Sequence, residues 1–348
     1  MLAPNSETDD LARVAWLYHV GQMSQEDVSQ ALGISRFKVL RMLAEARDRG
    51  IVRISVQHEI SDTLALADCL KNAWGLTEVM VAPMPPSLSP GPETSALARR
   101  AVGIVAASFL GRIGRGGQAL TIGMGWGWTL AAMARAVSGL HNPNLRFVSL
   151  MGSMTQTSDS SPFDVCTNLA ALTGGSAMFL PAPFMADDEA ACRLILSQRL
   201  VRETLAVARK ADYAIVSVGE CGPGALLFSS AVLTAEDRAD LQAAQAVADT
   251  TGRFFRADGS LAETSLNRRA PAVPYDDLCG RDVVLLAAGT EKAVATRAVL
   301  RAGFVRRLIV DQMLAEQLLV EAGSDCQLTP MPDTCRNADR ESPKGGLG

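Results

Sequence analysis

The stretch that decides the fold of the N-terminal region is SQEDVSQALGISRFKVLRMLAEARDRGIVRISV, residues 24–56. It contains a short amphipathic helix over residues 25–32 and an interruption at Gly33 and Ile34. A second helix then restarts at Ser35, a residue type that favours the N-cap position. Two short helices joined by such a turn are typical of a helix-turn-helix, whose second helix lies in the DNA major groove.

The two predicted helices pack through one set of apolar side chains and leave a basic face outside. The packing positions are Val28, Leu32, Ile34, Val39, Leu40 and Leu43. Between Arg36 and Arg53 there are six basic and two acidic residues, a local net charge of +4, whereas the whole chain carries −4. Contact with double-stranded DNA is therefore expected to be confined to this patch. The predicted DNA-binding residues are Ser24, Gln25, Ser35, Arg36, Phe37, Lys38 and Arg41.

Two further features bear on the DNA-binding hypothesis. Gly50, followed by residues 51–56, resembles a helix C-cap that leads into a short strand, the start of a wing. At the start of the second helix, Ser35 can offer its hydroxyl and free backbone N–H groups to a phosphate. The alternative, an ordinary helical hairpin with a solvated basic face, fits the same spacing.

Composition indicates a soluble globular protein of two or three domains. The 348 residues are 48% hydrophobic, 20% charged and only 5% aromatic, which favours helix-rich α/β packing over an all-β sandwich. Residues 1–10 lack the basic start and apolar run of a signal peptide, and no apolar stretch reaches the about 18 residues of a membrane span. We expect a cytoplasmic protein without a membrane partner.

Cysteine and histidine usage argues against metal and triad chemistry. The seven cysteines form no Cys-x-x-Cys pair and are widely spaced, which argues against a disulfide framework and a structural zinc site. Only three histidines are present. We therefore predict no metal, no cofactor and no catalytic residue, with most cysteines buried in a reducing cytosol.

From residue 77 onward, apolar strands alternate with amphipathic helices. This alternation predicts an α/β fold with a mostly parallel sheet covered on both faces. Residues 83–92 hold five prolines and are expected to form an exposed loop, whereas residues 188–210 are expected to form one long helix. The predicted domains are a helix-turn-helix domain over 1–57, an effector and oligomerisation domain over 58–323, and a disordered tail over 324–348.

The strongest candidate binding element is the turn GMGWGWTL, residues 123–130, which follows a strand and opens a helix. In a parallel sheet the ligand crevice lies at the carboxyl ends of the strands. Glycines let the backbone approach a ligand, the helix N-terminus offers N–H groups, and Trp126 can stack on a sugar ring. The spacing is not a good dinucleotide fingerprint. A tight turn with a packed tryptophan is the alternative.

Other turns follow strands at the same predicted edge of the sheet. Gly152 ends one strand, Lys292 follows another, and Asp311 caps the helix after a further one. Lys292 can partner an anion or a hydroxyl-rich ligand. A solvated lysine in the first turn of a helix explains this residue equally well.

Taken together, these segments resemble the SorC/DeoR-type family of bacterial sugar-binding transcriptional regulators, from about Leu11 to Leu319. The matching segments are YHVGQMSQEDV (18–28), IGMGWGWTL (122–130), ADYAIVSVG (211–219), GRFFRADG (252–259), AGTEK (288–292) and LIVD (308–311). Their order and spacing are specific, although no single motif is.

The resemblance implies a helix-turn-helix followed by an effector domain similar to sugar-phosphate isomerases and deaminases. It also implies a homotetramer, or a pair of dimers, on a palindromic or repeated operator. With Gly152 added from its strand-end position, the predicted effector-binding residues are Gly123, Gly125, Trp126, Gly127, Thr129, Gly152, Asp249, Lys292 and Asp311. Two departures from the family pattern, Arg256 after the Phe-Phe pair and Ala248 before Asp249, are expected to tune which sugar or polyol fits.

Two functions therefore compete. The first is a transcriptional regulator of a carbohydrate or polyol operon, whose DNA affinity is changed by a small sugar, polyol or sugar phosphate. The second is a sugar-phosphate isomerase or deaminase, which needs a positioned general base that the sequence does not reveal. The glycine loop with Thr129 suits a phosphate, whereas the tryptophan pair slightly favours an unphosphorylated ligand. Repressor and activator remain equally open.

Overall fold

A computed structural model describes residues 7–52, 61–85, 88–154, 161–222, 224–229 and 232–322. The chain divides into two compact units, Met1–His58 and Glu59–Gly348. Ile51 and Val52, at the start of the expected wing strand, form bends. The remainder of that strand and the expected tail over 324–348 lie outside the described residues.

The described residues of the first unit form three helices, and capping residues fix where the second and third begin. They are α1 (Glu7–His19), α2 (Gln25–Leu32) and α3 (Arg36–Asp48). The Ser24 hydroxyl accepts a hydrogen bond from the Asp27 N–H while the Asp27 carboxylate accepts one from the Ser24 N–H, a complete capping box. Gly33 ends α2 with a φ of 64°, a left-handed conformation that glycine adopts without strain. The Ser35 hydroxyl then accepts a hydrogen bond from the Lys38 N–H and starts α3.

Leu40 does not pack between these helices, contrary to the prediction. Val28, Val39 and Leu43 are buried together with Val14 of α1, but Leu40 is 44% exposed. At 3.6 residues per turn, position 40 lies about 100° from position 39, which moves it off the buried side of α3.

The second unit is built on a parallel sheet, so the predicted α/β class is confirmed. Among the described residues the strands are β1 (Glu78–Ala82), β2 (Leu120–Met124), β3 (Leu145–Ser149), β4 (Ser176–Met178), β5 (Tyr213–Ser217), β6 (Gly219–Glu220), β7 (Ala248–Thr250), β8 (Arg253–Phe255), β9 (Asp282–Ala287) and β10 (Arg307–Asp311). Seven of them form the main sheet in the order β1-β10-β9-β5-β2-β3-β4. Every neighbouring pair in this sheet is parallel.

Helices cover both faces of this sheet. In the described part of this unit the helices are α4 (Ser61–Trp74), α5 (Pro92–Gly114), α6 (Trp128–Ala136), α7 (Pro162–Thr173), α8 (Glu189–Ser197), α9 (Arg199–Ala208), α10 (Leu226–Ser229), α11 (Ala235–Ala243), α12 (Leu266–Arg269), α13 (Tyr275–Cys279), α14 (Ala293–Arg301) and α15 (Gln312–Ala322), with a 3₁₀ turn at Thr290–Lys292. Along β9, Val283 and Leu285 join the core formed with α4, α9, α14 and α15. Val284 and Leu286 join the core formed with α5, α6 and α7, as the two-residue period of a strand requires.

Two local predictions are corrected by the structure. Residues 188–210 form two helices rather than one, because Gln198 has an extended backbone (φ −64°, ψ 138°) that ends α8 and precedes α9. The proline-rich segment is not wholly exposed, since Met84 is buried against the side of the sheet that packs on α5. Pro92 belongs to α5, at a position where its missing N–H costs no helical hydrogen bond.

A small antiparallel sheet, β6-β7-β8, was not foreseen from the sequence. It begins at Gly219, with only Val218 between it and the end of β5, and it pairs Gly219 with Asp249. A third apolar cluster includes Phe254 of β8 together with the buried rings of Trp126 and Phe184. None of the helices in the described parts of the chain is both long and apolar enough to cross a membrane.

The order of strands in the main sheet identifies the place where a ligand crevice is expected. From β2 the chain runs outward through β3 to β4, whereas β5 returns to the other side of β2 and leads on to β9 and β10. Open α/β sheets bind ligands beyond the carboxyl ends of strands at such a reversal. The relevant strand ends are those of β2 and β5.

Candidate functional site

The first candidate site is the exposed side of α3 in the N-terminal unit. Six of the seven predicted DNA-binding residues are exposed, Ser24, Ser35, Arg36, Phe37, Lys38 and Arg41, and Gln25 is half-buried. The hydroxyls of Ser24 and Ser35 already serve as helix caps, which fixes where α2 and α3 begin. The basic side chains of α3 therefore project from a helix with a defined start.

The second candidate site is a cavity of about 1040 Å³ in the C-terminal unit. It opens beyond the carboxyl ends of β2 and β5, where the strand order reverses. The lining residues used below are Ser95, Arg99, Trp126, Gly127, Trp128, Thr129, Ser217, Glu220, Asp249, Glu291 and Lys292. Five of these were predicted from the sequence: Trp126, Gly127, Thr129, Asp249 and Lys292.

The turn between β2 and α6 is tied to the end of β5 by hydrogen bonds. The Gly125 N–H donates to the Ile215 carbonyl oxygen at 2.9 Å, and the Ser217 hydroxyl donates to the Trp126 carbonyl oxygen at 2.5 Å. Gly127 has a φ of 123°, and a Cβ atom there would lie 2.7 Å from the Ser217 Oγ. The close contact and the backbone conformation both require glycine. This turn places the first residues of α6 at the cavity.

The two tryptophans of this turn differ in how available their rings are. Trp126 is only 8% exposed, and its ring packs against that of Phe184 with a centroid distance of 5.5 Å. Trp128 is 43% exposed and also lines the cavity. Ring stacking was predicted for Trp126, but Trp128 presents more free aromatic surface.

Three charged groups meet on the wall formed by β6 and β7. The Lys292 Nζ donates to the Val218 carbonyl oxygen and to the Glu220 Oε2, both at 2.8 Å. Asp249 is 2% exposed, and its carboxylate lies so close to Gly219 that a Cβ there would be 2.0 Å from Oδ1. Burial raises the pKa of Asp249 to about 7; the nearby Lys292 ammonium lowers the pKa and Glu220 raises it.

A second polar group on the cavity wall was not predicted from the sequence. The Glu291 Oε2 accepts a hydrogen bond of 2.8 Å from the Ser95 hydroxyl, and the Glu291 Oε1 lies 4.0 Å from the Arg99 Nη1. Ser95 and Arg99 are on α5, far from Glu291 in sequence. Only the position of Glu291 beside Lys292, in a strand-end turn, could have indicated it.

Four predicted effector-binding residues do not line the cavity and have packing roles. A Cβ on Gly123 would lie 2.5 Å from the Leu150 Cδ2, and one on Gly152 would lie 2.0 Å from the Pro183 carbonyl oxygen. A Cβ on Gly125 would lie 3.3 Å from the Val216 Cα. Asp311 is buried and accepts hydrogen bonds from the Gly289 N–H at 2.7 Å and the Leu314 N–H at 3.1 Å. Burial raises the pKa of Asp311.

Arg256, the first departure from the family pattern, also lies away from the cavity. Its guanidinium is 3.4 Å from the Glu263 carboxylate, and its carbonyl oxygen accepts a hydrogen bond from the Gly259 N–H in a turn after β8. Among the described residues, no group of three or more His, Cys, Asp and Glu side chains is placed to hold a metal ion.

Comparison with known proteins agrees with this two-unit organisation. The family model "Putative sugar-binding domain" matches residues 58–320. The erythritol catabolism regulatory protein EryD of Brucella abortus is 32% identical over 312 residues, covering 89% of this chain and 96% of that protein. The deoxyribonucleoside regulator of Bacillus subtilis is 26% identical, with 88% and 95% coverage.

Solved structures show the same fold. The full-length sorbitol operon regulator SorC from Klebsiella pneumoniae superposes with a TM-score of 0.65 at 21% identity, covering 90% of this chain and all of that one. A DeoR family transcriptional regulator from Listeria monocytogenes gives a TM-score of 0.67 at 24% identity, covering 74% of this chain and all of that one.

A helix-turn-helix unit followed in one chain by an α/β unit with a cavity at its switch point defines a ligand-responsive transcriptional regulator. Within that class, the chain belongs to the SorC/DeoR-type family of sugar-binding transcriptional regulators.

Proposed function

We propose that this chain is a cytoplasmic, non-enzymatic regulator of a polyol operon, and that a small neutral polyol in the cavity changes its affinity for operator DNA. One observation carries the proposal: the same chain holds a helix-turn-helix with an exposed basic helix and a separate unit with a polar cavity at a sheet switch point. The functional boundaries are proposed to be 1–57 for DNA binding and 58–323 for the effector and oligomerisation domain.

The charges at the cavity favour a neutral ligand over a phosphate. Three carboxyl groups, those of Glu220, Asp249 and Glu291, line it together with two basic groups. One of the basic groups, Lys292, is already paired with Glu220. A phosphate would bring further negative charge beside these carboxylates, whereas polyol hydroxyls can donate to them and accept from Lys292 and the N–H groups of α6.

The named relatives support a polyol as well. The relative that is 32% identical is named for erythritol catabolism, and a structural neighbour is named for the sorbitol operon. We therefore propose a linear polyol of a length between those of erythritol and sorbitol. Gly127, Thr129, Asp249 and Lys292 would hold it, with the Trp128 ring against its carbon chain.

On the DNA side, we propose that the exposed residues of α3 contact the major groove of a palindromic or repeated operator. A single helix-turn-helix of this kind reads only a half-site, and two half-sites one helical turn apart are bound by paired subunits. We accordingly propose a homo-oligomer, a dimer or a homotetramer.

A ligand panel tests the effector assignment. Thermal unfolding of the full chain is measured with erythritol, sorbitol, other polyols, free sugars and sugar phosphates, since a ligand that binds the folded state raises the melting temperature. We expect the largest rise with a polyol, and we expect the same compound to change the affinity for operator DNA. A rise only with sugar phosphates contradicts the neutral-ligand assignment.

An enzymatic function remains the alternative because of Asp249. A buried carboxyl at the cavity with a pKa of about 7 is the kind of group that an isomerase uses as a general base. Incubation of the full chain with pentose and hexose phosphates, followed by chromatography of the sugars, tests this. Turnover that is lost in Asp249→Asn would support the enzyme, whereas no turnover with intact ligand binding supports the regulator.

A further inference from the structure

The exposed side of α3 carries two large apolar side chains that are not part of the buried apolar clusters of this unit. Phe37 is 79% exposed and Leu40 is 44% exposed. The side chains of α3 that pack into the core lie on the opposite side of the helix, where Val39, Leu43 and Ala46 are buried. We call Phe37 and Leu40 the apolar patch of α3.

The helix geometry places this patch at the face that would enter a groove. Position 37 is two residues before the buried Val39, about 200° around the helix, and therefore points almost directly away from the core. Positions 37 and 40 are three residues apart and lie side by side on the helix surface. Phe37 is also the second residue after the Ser35 N-cap, and the N-terminal residues of a recognition helix are those that reach base edges.

The surroundings of the patch indicate what covers it. Arg36, Lys38 and Arg41 are exposed beside it, which complements the negative charge of a DNA duplex. A second copy of α3 on the same patch would instead bring these like charges together. Within the major groove, the apolar group on a base edge is the thymine 5-methyl, and phenylalanine is one of the side chains that contact it.

We infer that Phe37 and Leu40 contact thymine 5-methyl groups in the operator and thereby help to set its sequence. This inference rests on the proposed DNA-binding function and adds the base that α3 selects. In this arrangement Arg36, Lys38 and Arg41 supply charge and hydrogen bonds, and the apolar patch discriminates thymine from cytosine, which lacks the methyl group.

The test begins with the full chain and a duplex library with a randomised centre, selected with and without a mixture of polyols and sugar phosphates. The selected duplex is then made with deoxyuridine in place of each thymine in turn, which removes only the methyl group. For the wild type we expect about a fourfold loss of affinity at one or two positions in each half-site, the scale of one buried methyl group.

The variants Phe37→Ala and Leu40→Ala complete a double-mutant cycle with the methyl deletions. We expect each variant to bind the duplex that contains thymine more weakly than the wild type does. At the thymine that the deleted side chain contacts, replacement by deoxyuridine should then cause no further loss of affinity. The salt dependence of binding should stay unchanged in Phe37→Ala, whereas Lys38→Ala, at an exposed lysine of the same helix, should lower the slope by about one. Val20→Ala, which removes another exposed apolar side chain of the same unit, serves as the matched control.

The outcomes separate this inference from the proposed function. Absence of any selected duplex contradicts DNA binding itself. A selected duplex that tolerates deoxyuridine at every position, or a deoxyuridine penalty that persists in both variants, overturns the thymine contact alone. A change in the oligomeric state of Phe37→Ala, measured by light scattering, would assign the patch to a second copy of the chain and also overturn the inference.

Discussion

The Nζ atom of Lys292 lies 2.8 Å from the Oε2 atom of Glu220. This ion pair links the turn after β9 to the short strand β6, and both residues line the cavity. Lys292 also donates to the Val218 carbonyl oxygen, so its ammonium is held at the end of β5. A polar ligand that binds there must meet a cation with a fixed position.

Lys292→Met is therefore expected to impair effector binding. The methionine keeps most of the side-chain volume but cannot donate a hydrogen bond. Because a hydrogen bond to a charged group contributes about 1.5–3 kcal/mol, we expect the effector affinity to be roughly ten- to hundredfold weaker. Titration calorimetry with the polyol that emerges from the ligand panel measures the affinity. The matched control is Lys210→Met, at an exposed lysine after α9. Unchanged effector affinity in Lys292→Met would make Lys292 a purely structural residue.

Asp249 is expected to make the stability of the protein depend on pH. Its pKa of about 7 lies above the ordinary value of 3.8 because burial disfavours the ionised form. A group whose pKa is higher in the folded than in the unfolded protein stabilises the folded state. This contribution is complete at pH values below the pKa of the unfolded state, and it is lost as the pH rises through the pKa of the folded state. The free energy of unfolding of the wild type, relative to Asp249→Asn, should thus fall by about 2–3 kcal/mol between pH 5 and pH 8.

Urea unfolding of both proteins across this pH range provides the measurement. Asp276→Asn, which removes an exposed carboxylate on α13, is the control for the change of side chain. Parallel pH profiles for the wild type and Asp249→Asn would show that the carboxyl of Asp249 does not carry the effect.

Much of the fold could be predicted because its signals are local in sequence. The strand Asp282–Ala287 and the helix Gln312–Ala322 belong to the predicted alternation of apolar strands and amphipathic helices, because buried strands and amphipathic helices have characteristic periods. The break at Gln198 was not predictable, because residues 188–210 contain no glycine or proline to mark it. The strands of the antiparallel sheet are two or three residues long, too short to show a period.

The candidate cavity shows the same division between local and long-range signals. Gly127 and Thr129 were found because a glycine turn after a strand is visible in the sequence. The Ser95–Glu291 contact depends on two residues that the parallel sheet brings together from distant segments, so spacing could not reveal it. Gly152 was a plausible ligand contact by position alone, but its lack of a side chain is explained by the Pro183 backbone.

Arg41→Ala and Arg36→Ala are expected to remove operator binding in a gel-shift assay. Both side chains are exposed on α3, and phosphate and base contacts by arginine supply a large part of DNA affinity. Effector binding should stay intact, because the cavity is lined by residues of the other unit. Arg13→Ala, at an exposed arginine of α1, is the control. If both arginine variants shift the operator as the wild type does, α3 is not the recognition helix.

Gly127→Ala is expected to disrupt the turn that forms the cavity. Its φ of 123° is rarely adopted by residues with a side chain, and the added methyl group would lie 2.7 Å from the Ser217 Oγ. That hydroxyl holds the Trp126 carbonyl oxygen, so strain and a lost hydrogen bond coincide. We expect about 2 kcal/mol lower stability in urea unfolding of the full chain and a loss of effector binding, with operator binding retained.

A second substitution separates the steric part of this effect from the backbone strain. In the double variant Gly127→Ala/Ser217→Ala the nearest atom to the new methyl group is removed, and the Ser217 Cβ is 3.7 Å away. Part of the stability and of the effector affinity should therefore return, while the cost of the positive φ remains. Gly116→Ala, where the added Cβ would lie 4.0 Å from the Gln118 side chain, is the matched control and should behave as the wild type. Equal stability of Gly127→Ala and Gly116→Ala would mean that the turn tolerates a side chain, and that glycine at position 127 is not what shapes the cavity.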